Sequence, residues 1–179
     1  MIKKWLNQGI QRPFGTWFAY EVSAGAIVFR TRKDGVREYL LLRYRNGHWD
    51  YVKGHVEDGE THTGTVQREA YEEALIRPLR VLKGFHLRSH YYYTAKTEER
   101  LKREASNHGT HILKTVHFYI AEAKPNAKTE IPVGSHEHRD CAWLPYDKAY
   151  PLVTFPRSKE ILAKAEQFLN SGRERVTMK

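Results

Sequence analysis

Apolar residues along the chain recur with two periods, and the switches between them mark out the elements. In "SAGAIVFRTRKDGVREYLLLRY" two runs rich in aliphatic and aromatic residues, Ser23 to Arg30 and Tyr39 to Tyr44, flank the turn signal Lys33-Asp34-Gly35, which predicts a β-hairpin. "LRVLKGFHL" and "SHYYYTA" predict a second strand pair, and "TVHFYIAEA", Thr115 to Ala123, is the strongest single strand pattern. Two stretches change to helical spacing. Thr63 to Leu75 turns Val66, Ala70 and Leu75 toward a core, although Gly64 costs about 1 kcal/mol relative to Ala inside a helix, so tertiary packing has to support it. "RSKEILAKAEQFLNSG" sets Ile161, Leu162, Ala165, Phe168 and Leu169 on one stripe between Pro156 and Gly172, a helix that caps the core. The polar "KTEERLKREASNHG" has too little apolar content to pack, so the insertion at 96–111 is expected to be a mobile loop.

Composition narrows the class. A chain of 179 residues, 40% hydrophobic, suits one domain with a real core, expected over residues 17–170, with an arm at 1–16 and a flexible tail at 171–179. Lys and Arg number 30 against 21 Asp and Glu, a net charge of +9, which fits a polyanionic ligand as well as a solvated basic surface. The single cysteine, Cys141, excludes an internal disulfide and fits a reducing compartment, so the expected location is cytoplasmic. No apolar run approaches the roughly 18 residues of a membrane span, and the start lacks the apolar core of a signal peptide.

Against that positive balance, "KGHVEDGETHTGTVQREAYEEALI" gathers six carboxylates between Lys53 and Ile76. On a helix Glu69 and Glu73 stand one turn apart and Glu72 three residues from Glu69, so all three approach one side. Like charges at that spacing repel by a few tenths of a kcal/mol per pair in water, and by more once enclosed. A hard cation is a natural compensation, because magnesium takes oxygen ligands and sits between carboxylates and substrate phosphates. An acidic solvated face is the alternative. Gly54 and Gly59 bracket a short loop feeding the helix, so backbone amides and the helix N-terminus can approach an anionic ligand.

Read from Gly54, the order is Gly, five residues, Glu60, seven residues, then Arg68-Glu69-Ala70-Tyr71-Glu72-Glu73-Ala74-Leu75-Ile76. This resembles the Nudix box, G-x5-E-x7-R-E-U-x-E-E-x-G-U, where U is a bulky aliphatic residue. Two positions depart: Ala70 is small, and Leu75 replaces the glycine that ends the helix, which alters the expected exit turn. The resemblance extends over roughly Ser23 to Leu169 and is greatest to the asymmetrically cleaving diadenosine tetraphosphate hydrolases. "KGHVEDGE" is similar to their Lys-Gly-His-Val-Glu-Pro-Gly-Glu, and "SHEHRDCAWLPYDKA" to their Ser-His-Glu-His segment followed by Trp-Leu.

That resemblance implies an α/β protein, a Nudix-type α/β/α sandwich with a mixed β-sheet, that hydrolyses a nucleoside polyphosphate with magnesium or, alternatively, manganese. It implies Gly54, Glu69, Glu72, Glu73 and Glu137 at the metal, and His48, Lys53 and Lys114 on the polyphosphate. One aromatic from each of two segments grips an adenine: Tyr91, or its competitor Tyr93 on the same strand face, and Phe155. Arg68 is counted with the catalytic set but is expected to pair with Glu60 and lock the loop to the helix. The general base stays open among Glu57, Glu73 and Glu137. His136 and His138 flank Glu137, yet the hard-oxygen company and lack of further cysteines argue against a structural zinc. The small-molecule nucleotide has two competitors: the 5′-triphosphate of RNA, suggested by the charge and by Lys96, Arg100, Lys102 and Arg103, and binding of nucleotide or RNA without catalysis. Two readings of those four basic residues stand open, an inert surface loop and a flap that draws polyphosphate inward.

Overall fold

Strand β2, Trp17–Thr31, is the spine of the fold, because its alternation gives it two apolar faces. Ala24, Ala26 and Val28 are buried on one side, and Ile27 and Phe29 on the other. The computed structural model describes residues 10–11, 17–106 and 108–172. Most of the expected arm and tail lies outside those residues.

Around β2 the order is β1 (Ile10–Gln11), β3 (Arg37–Tyr44), β4 (Trp49–Asp50), β5 (Val52–His55), α1 (His62–Ala74), β6 (Arg80–Val81), β7 (Leu87–Thr94), α2 (Thr97–Ala105), β8 (His111–Glu122), β9 (His138–Pro145), α3 (Tyr146–Leu152) and α4 (Pro156–Asn170). Antiparallel β3 and β5 pair with β2 through Phe29↔Tyr39 and Gly25↔Lys53, and β8 pairs parallel to it from Phe18↔His111 to Phe29↔Glu122. The sheet is therefore mixed. Helix α1 covers one face, burying Val66, Ala70 and Ala74 against Ala24, Ala26, Val28, Leu40 and Leu42. On the other, α3 and α4 bury Ala149, Ile161, Leu162 and Ala165 against Ile27, Phe29, Tyr39, Leu41 and Ile120. This is the expected α/β/α sandwich. The small Ala70, facing Ala24 and Ala26, lets α1 lie close on the strands that carry the site.

Three expectations need correcting. The segments Leu79 to Leu87 and Ser89 to Ala95 do not pair with each other. Long β8 presents one free edge, β7 takes its first part through Leu87↔Phe118 to Thr94↔His111, and β6 takes its end through Arg80↔Glu122. The polar insertion is not a loop: α2 forms with no buried residue, held by ion pairs one turn apart, Glu98–Lys102 at 2.6 Å, Glu99–Arg103 at 2.9 Å and Arg100–Glu104 at 2.7 Å. Glu98 and Glu99 in its first turn and Lys102 and Arg103 in its last also complement the helix dipole. Lastly, Leu75 does not face the core. It is 41% exposed while Thr65 and Ala74 take the inner positions.

The exit turn at Leu75 is nevertheless the one glycine would make, with φ 52° in the left-handed region. Its N–H donates to Tyr71 O at 2.9 Å and the Ile76 N–H to Ala70 O at 3.2 Å, so the carbonyls at the helix end are satisfied despite the side chain. A β-carbon in that region costs about 1 to 2 kcal/mol, and the exposed Leu75 side chain contributes little burial in return. Leu75→Gly is therefore expected to stabilise the protein by about 1 kcal/mol and raise Tm by about 2 to 4 °C in a thermal melt. A lower Tm would show that the leucine side chain outweighs its backbone strain.

Candidate active site

The loop between β5 and α1 is fastened to the helix by one guanidinium. Thr61 caps α1, its Oγ1 accepting from Gly64 N at 3.1 Å. Just before it, Glu60 accepts from Arg68 Nε and Nη2, both at 3.0 Å, from Thr65 Oγ1 at 2.7 Å and from the Glu57 N–H at 3.2 Å. Those bonds, chiefly Arg68's, hold the Glu60 carboxyl at about 2. Arg68 also donates to Glu69 Oε1 at 2.7 Å, Glu72 Oε2 at 2.9 Å and the His55 carbonyl at 2.8 Å. The expected Arg68–Glu60 pair is present, and the same cation separates the helix carboxylates.

Glu69 reaches back under β5. A β-carbon on Gly54 would stand 1.8 Å from Glu69 Oε1, so glycine is the only residue that lets this carboxylate approach the strand. One turn on, Glu73 is buried, and its Oε2 accepts the Lys53 N–H at 3.1 Å. Burial pushes the Glu73 carboxyl well above the usual range; Lys53 opposes this, and Glu69 and Glu137 push the same way. Burial also raises Glu69, against the pull of Arg68. Glu137 arrives from the loop before β9, and ligand atoms of Glu73, Glu137 and His138 lie within 4.8 Å of one another.

His138, weighed in the sequence only as a zinc ligand and set aside, is brought into the cluster by the fold. It is 2% exposed, its Nε2 lies 3.5 Å from Glu73 Oε1, and that nitrogen is buried without a hydrogen-bond partner. Burial, with Lys53 and His48 nearby, lowers its pKa to about 4, so the ring is neutral at pH 7. Two carboxylates, Glu73 buried and Glu137 exposed, and a neutral imidazole with an unpartnered nitrogen thus converge on one point, a donor set that could hold a hydrated divalent cation. The Ser-His-Glu-His run was its signal, read for a metal-binding glutamate and against a structural zinc on its histidines.

Beside the carboxylates lies a cleft of ≈ 720 Å³ whose walls include Tyr44, His48, Lys53, Tyr91, Phe155 and Arg157. Tyr44 joins the two regions, stacking on His48 at 4.1 Å and meeting His138 edge-on at 4.2 Å. His48 in turn lies 5.0 Å from the ring of Phe155, and burial lowers its pKa. Phe155 and Tyr91 remain 45% and 43% exposed, so neither ring is committed to the core. Tyr93 does not join them. Its hydroxyl donates to Glu99 Oε1 at 3.0 Å, and its ring packs with Ala19, Ala95 and Ile112 beneath α2, which draws it from the cleft.

Lys53 is largely committed inside the protein, donating to Tyr44 Oη at 2.6 Å and pairing with Asp50 Oδ2 at 3.1 Å. Burial alone would depress its pKa, but Asp50 and Tyr44 reverse the shift and keep it charged. Lys114 lies outside the cleft lining, its Nζ 3.3 Å from His55 Nε2 and 3.8 Å from Glu21 Oε2, and burial lowers its pKa. Glu57 is exposed on the loop, touching Glu60 through its backbone.

Comparison with known proteins agrees with this geometry. The NUDIX domain model matches residues 19–165. A Sus scrofa bis(5′-nucleosyl)-tetraphosphatase (asymmetrical) is 34% identical over 158 residues, covering 83% of this chain and 95% of the relative, and its Mus musculus counterpart is 32% identical over the same length. Among solved structures, a C. elegans Ap4A hydrolase binary complex superimposes with a TM-score of 0.65 at 26% identity, covering 84% of this chain and 98% of that one.

The low pKa of Glu60 has a pH signature. Its folded value of about 2 lies below the ordinary 4.5, so the stability that Arg68 lends it is complete above pH 4.5 and lost as pH falls toward 2. Glu60→Gln is expected to lower Tm most above about pH 5, with the gap from the parent closing toward about pH 2. A gap independent of pH would show that the Glu60–Arg68 pair does not stabilise the loop.

Proposed function

The chain belongs to the Nudix family, and on that footing we propose that it hydrolyses diadenosine tetraphosphate to ATP and AMP. The observation that carries the reading is the convergence of Glu73, Glu137 and His138 beside a cleft walled by Tyr91 and Phe155. Nudix hydrolases use divalent metals, and here Glu69, Glu72, Glu73 and Glu137, with the Gly54 main chain, would hold magnesium or manganese. When bound, such an ion neutralises phosphate charge and lowers the pKa of a water molecule.

The protein's own groups do the rest. Tyr91 and Phe155 take the two faces of one adenine, the role for which their exposure fits them. Lys114 supplies positive charge to the phosphates, His48 orients them by hydrogen bonding as a neutral ring, and Lys53, pinned by Asp50 and Tyr44, contributes fixed positive charge. Arg68 is a positioning residue that keeps Glu69 and Glu72 apart and aimed. Glu73 and Glu137 share the cluster, which favours them over loop-borne Glu57 as the base that takes a proton from water. As the new O–P bond forms, the bridging P–O bond breaks and the departing phosphate takes the electron pair. The pairing of Arg100, Lys102 and Arg103 within α2 withdraws much of the charge on which an RNA 5′-triphosphate reading leaned.

Glu73→Gln is expected to lower turnover at least roughly a hundredfold, because an amide is a poor ligand for a hard cation and cannot take the proton. Since burial already disfavours the Glu73 charge, the metal-free variant should melt no lower than the parent. Wild-type turnover would remove Glu73 from the reaction. Phe155→Ala is expected to raise KM by the equivalent of about 1 to 3 kcal/mol, the usual loss for a base-stacking ring. A lower Tm with unchanged KM would make Phe155 a packing residue instead.

A further inference from the structure

Two cavities open on one face of the sheet, and the strand register shows how they are related. Lys114 of β8 is paired with Tyr91 of β7 on one side and Glu21 of β2 on the other, so these three side chains stand in one row on the same face. Adjacent strands lie about 4.8 Å apart, which sets Tyr91 and Glu21 about 10 Å from each other. Tyr91 lines the aromatic cleft. Glu21 lines a second cavity, of ≈ 600 Å³, whose wall includes Glu98, Glu99, Lys102 and Arg103 of α2. Lys114 lies between the two.

Strand β5 repeats the order along its length. Lys53 lines the aromatic cleft, Gly54 touches Glu69, and His55 lines the second cavity. Gly54 itself turns to the α1 face of the sheet, so a molecule seated in both cavities lays its middle across Lys114, with the carboxylate cluster reached at the β5 edge where Glu73 accepts the Lys53 N–H.

The second cavity is built and held. Glu21 binds Arg103 by a short ion pair and lies 2.8 Å from His55 Nε2, and Arg103 also donates to Glu99 Oε1 at 2.9 Å and to the Gly109 carbonyl at 3.2 Å. Burial would raise the Glu21 pKa, but His55 and Arg103 outweigh it and hold the carboxyl at about 2. With Glu21, Glu98 and Glu99 opposing Lys102 and Arg103, the cavity carries no surplus positive charge for another phosphate. Its carboxylates are acceptors for ribose hydroxyls and the adenine amino group, which are donors.

We propose that this cavity seats the second nucleoside of the substrate, so that α2 selects polyphosphates capped by a nucleoside at both ends. The proposal rests on the substrate reading given above. It assigns a task to the charged insertion that does not depend on mobility: α2 supplies a polar wall.

Ser106, exposed at the C-terminal end of α2 and lining the cavity, offers the test. Ser106→Trp, and separately Lys102→Trp, should fill the cavity without disturbing the core, since α2 buries none of its residues. Diadenosine tetraphosphate is compared with adenosine 5′-tetraphosphate, which has the same phosphate run and one nucleoside, followed as substrate or, failing turnover, as competitive inhibitor. Each variant, checked for parental Tm, is expected to lose about tenfold in preference for the dinucleotide, a loss typical of one displaced base contact. A preference equal to the parent's in both variants overturns the second subsite alone. A parent that binds the mononucleotide but does not cleave the dinucleotide overturns the substrate reading, and the subsite with it.

Discussion

Three glutamates on one helix face, two of them largely enclosed, would repel each other and swing apart unless something held them, and Arg68 holds two of the three. Its guanidinium bonds Glu60, Glu69 and Glu72 and the His55 carbonyl together, and so ties the end of β5, the loop and α1 into one unit. The planar fork of arginine can meet several acceptors in different directions at once, which a lysine ammonium on a flexible stem does less well. Gly54 supplies the complementary condition by yielding the space into which Glu69 moves. One donor and one missing side chain thus set the positions of Glu69 and Glu72, while Glu73 is held by the Lys53 N–H.

Several of the cations nearest the two cavities are committed to carboxylates of the protein itself. Arg103 is spent on Glu21 and Glu99, Lys53 on Asp50 and Tyr44, and Arg100 and Lys102 on helix partners. The cations near the cleft are consequently oriented before any ligand arrives, and little reorganisation remains to oppose binding. The row Tyr91, Lys114, Glu21 extends that arrangement across the sheet, with an aromatic at one end, a cation in the middle and a carboxylate at the other.

Much of this was legible in the sequence where local rules and global packing agree. The period-2 runs became β2, β3 and β8, and the helical stripes became α1 and α4, because their apolar faces had only one place to go. The box spacing pointed to Glu60, Arg68, Glu69, Glu72 and Glu73, residues within one helix and its entry loop. What depended on distant contacts was harder to read. The choice between Tyr91 and Tyr93 turned on Glu99, and the fate of residues 96–111 on ion pairs that compensate for missing apolar burial. His138 needed the third dimension, since only the fold brings it 3.5 Å from Glu73.

The central claim is that this acidic cluster cleaves a dinucleoside tetraphosphate off-centre. Chromatographic analysis of the products from diadenosine tetraphosphate with magnesium tests it most directly. The account predicts ATP and AMP in equal amounts from the first turnovers, and no cleavage once the metal is chelated. Two molecules of ADP per substrate, or an enzyme that leaves the dinucleotide intact, would contradict it.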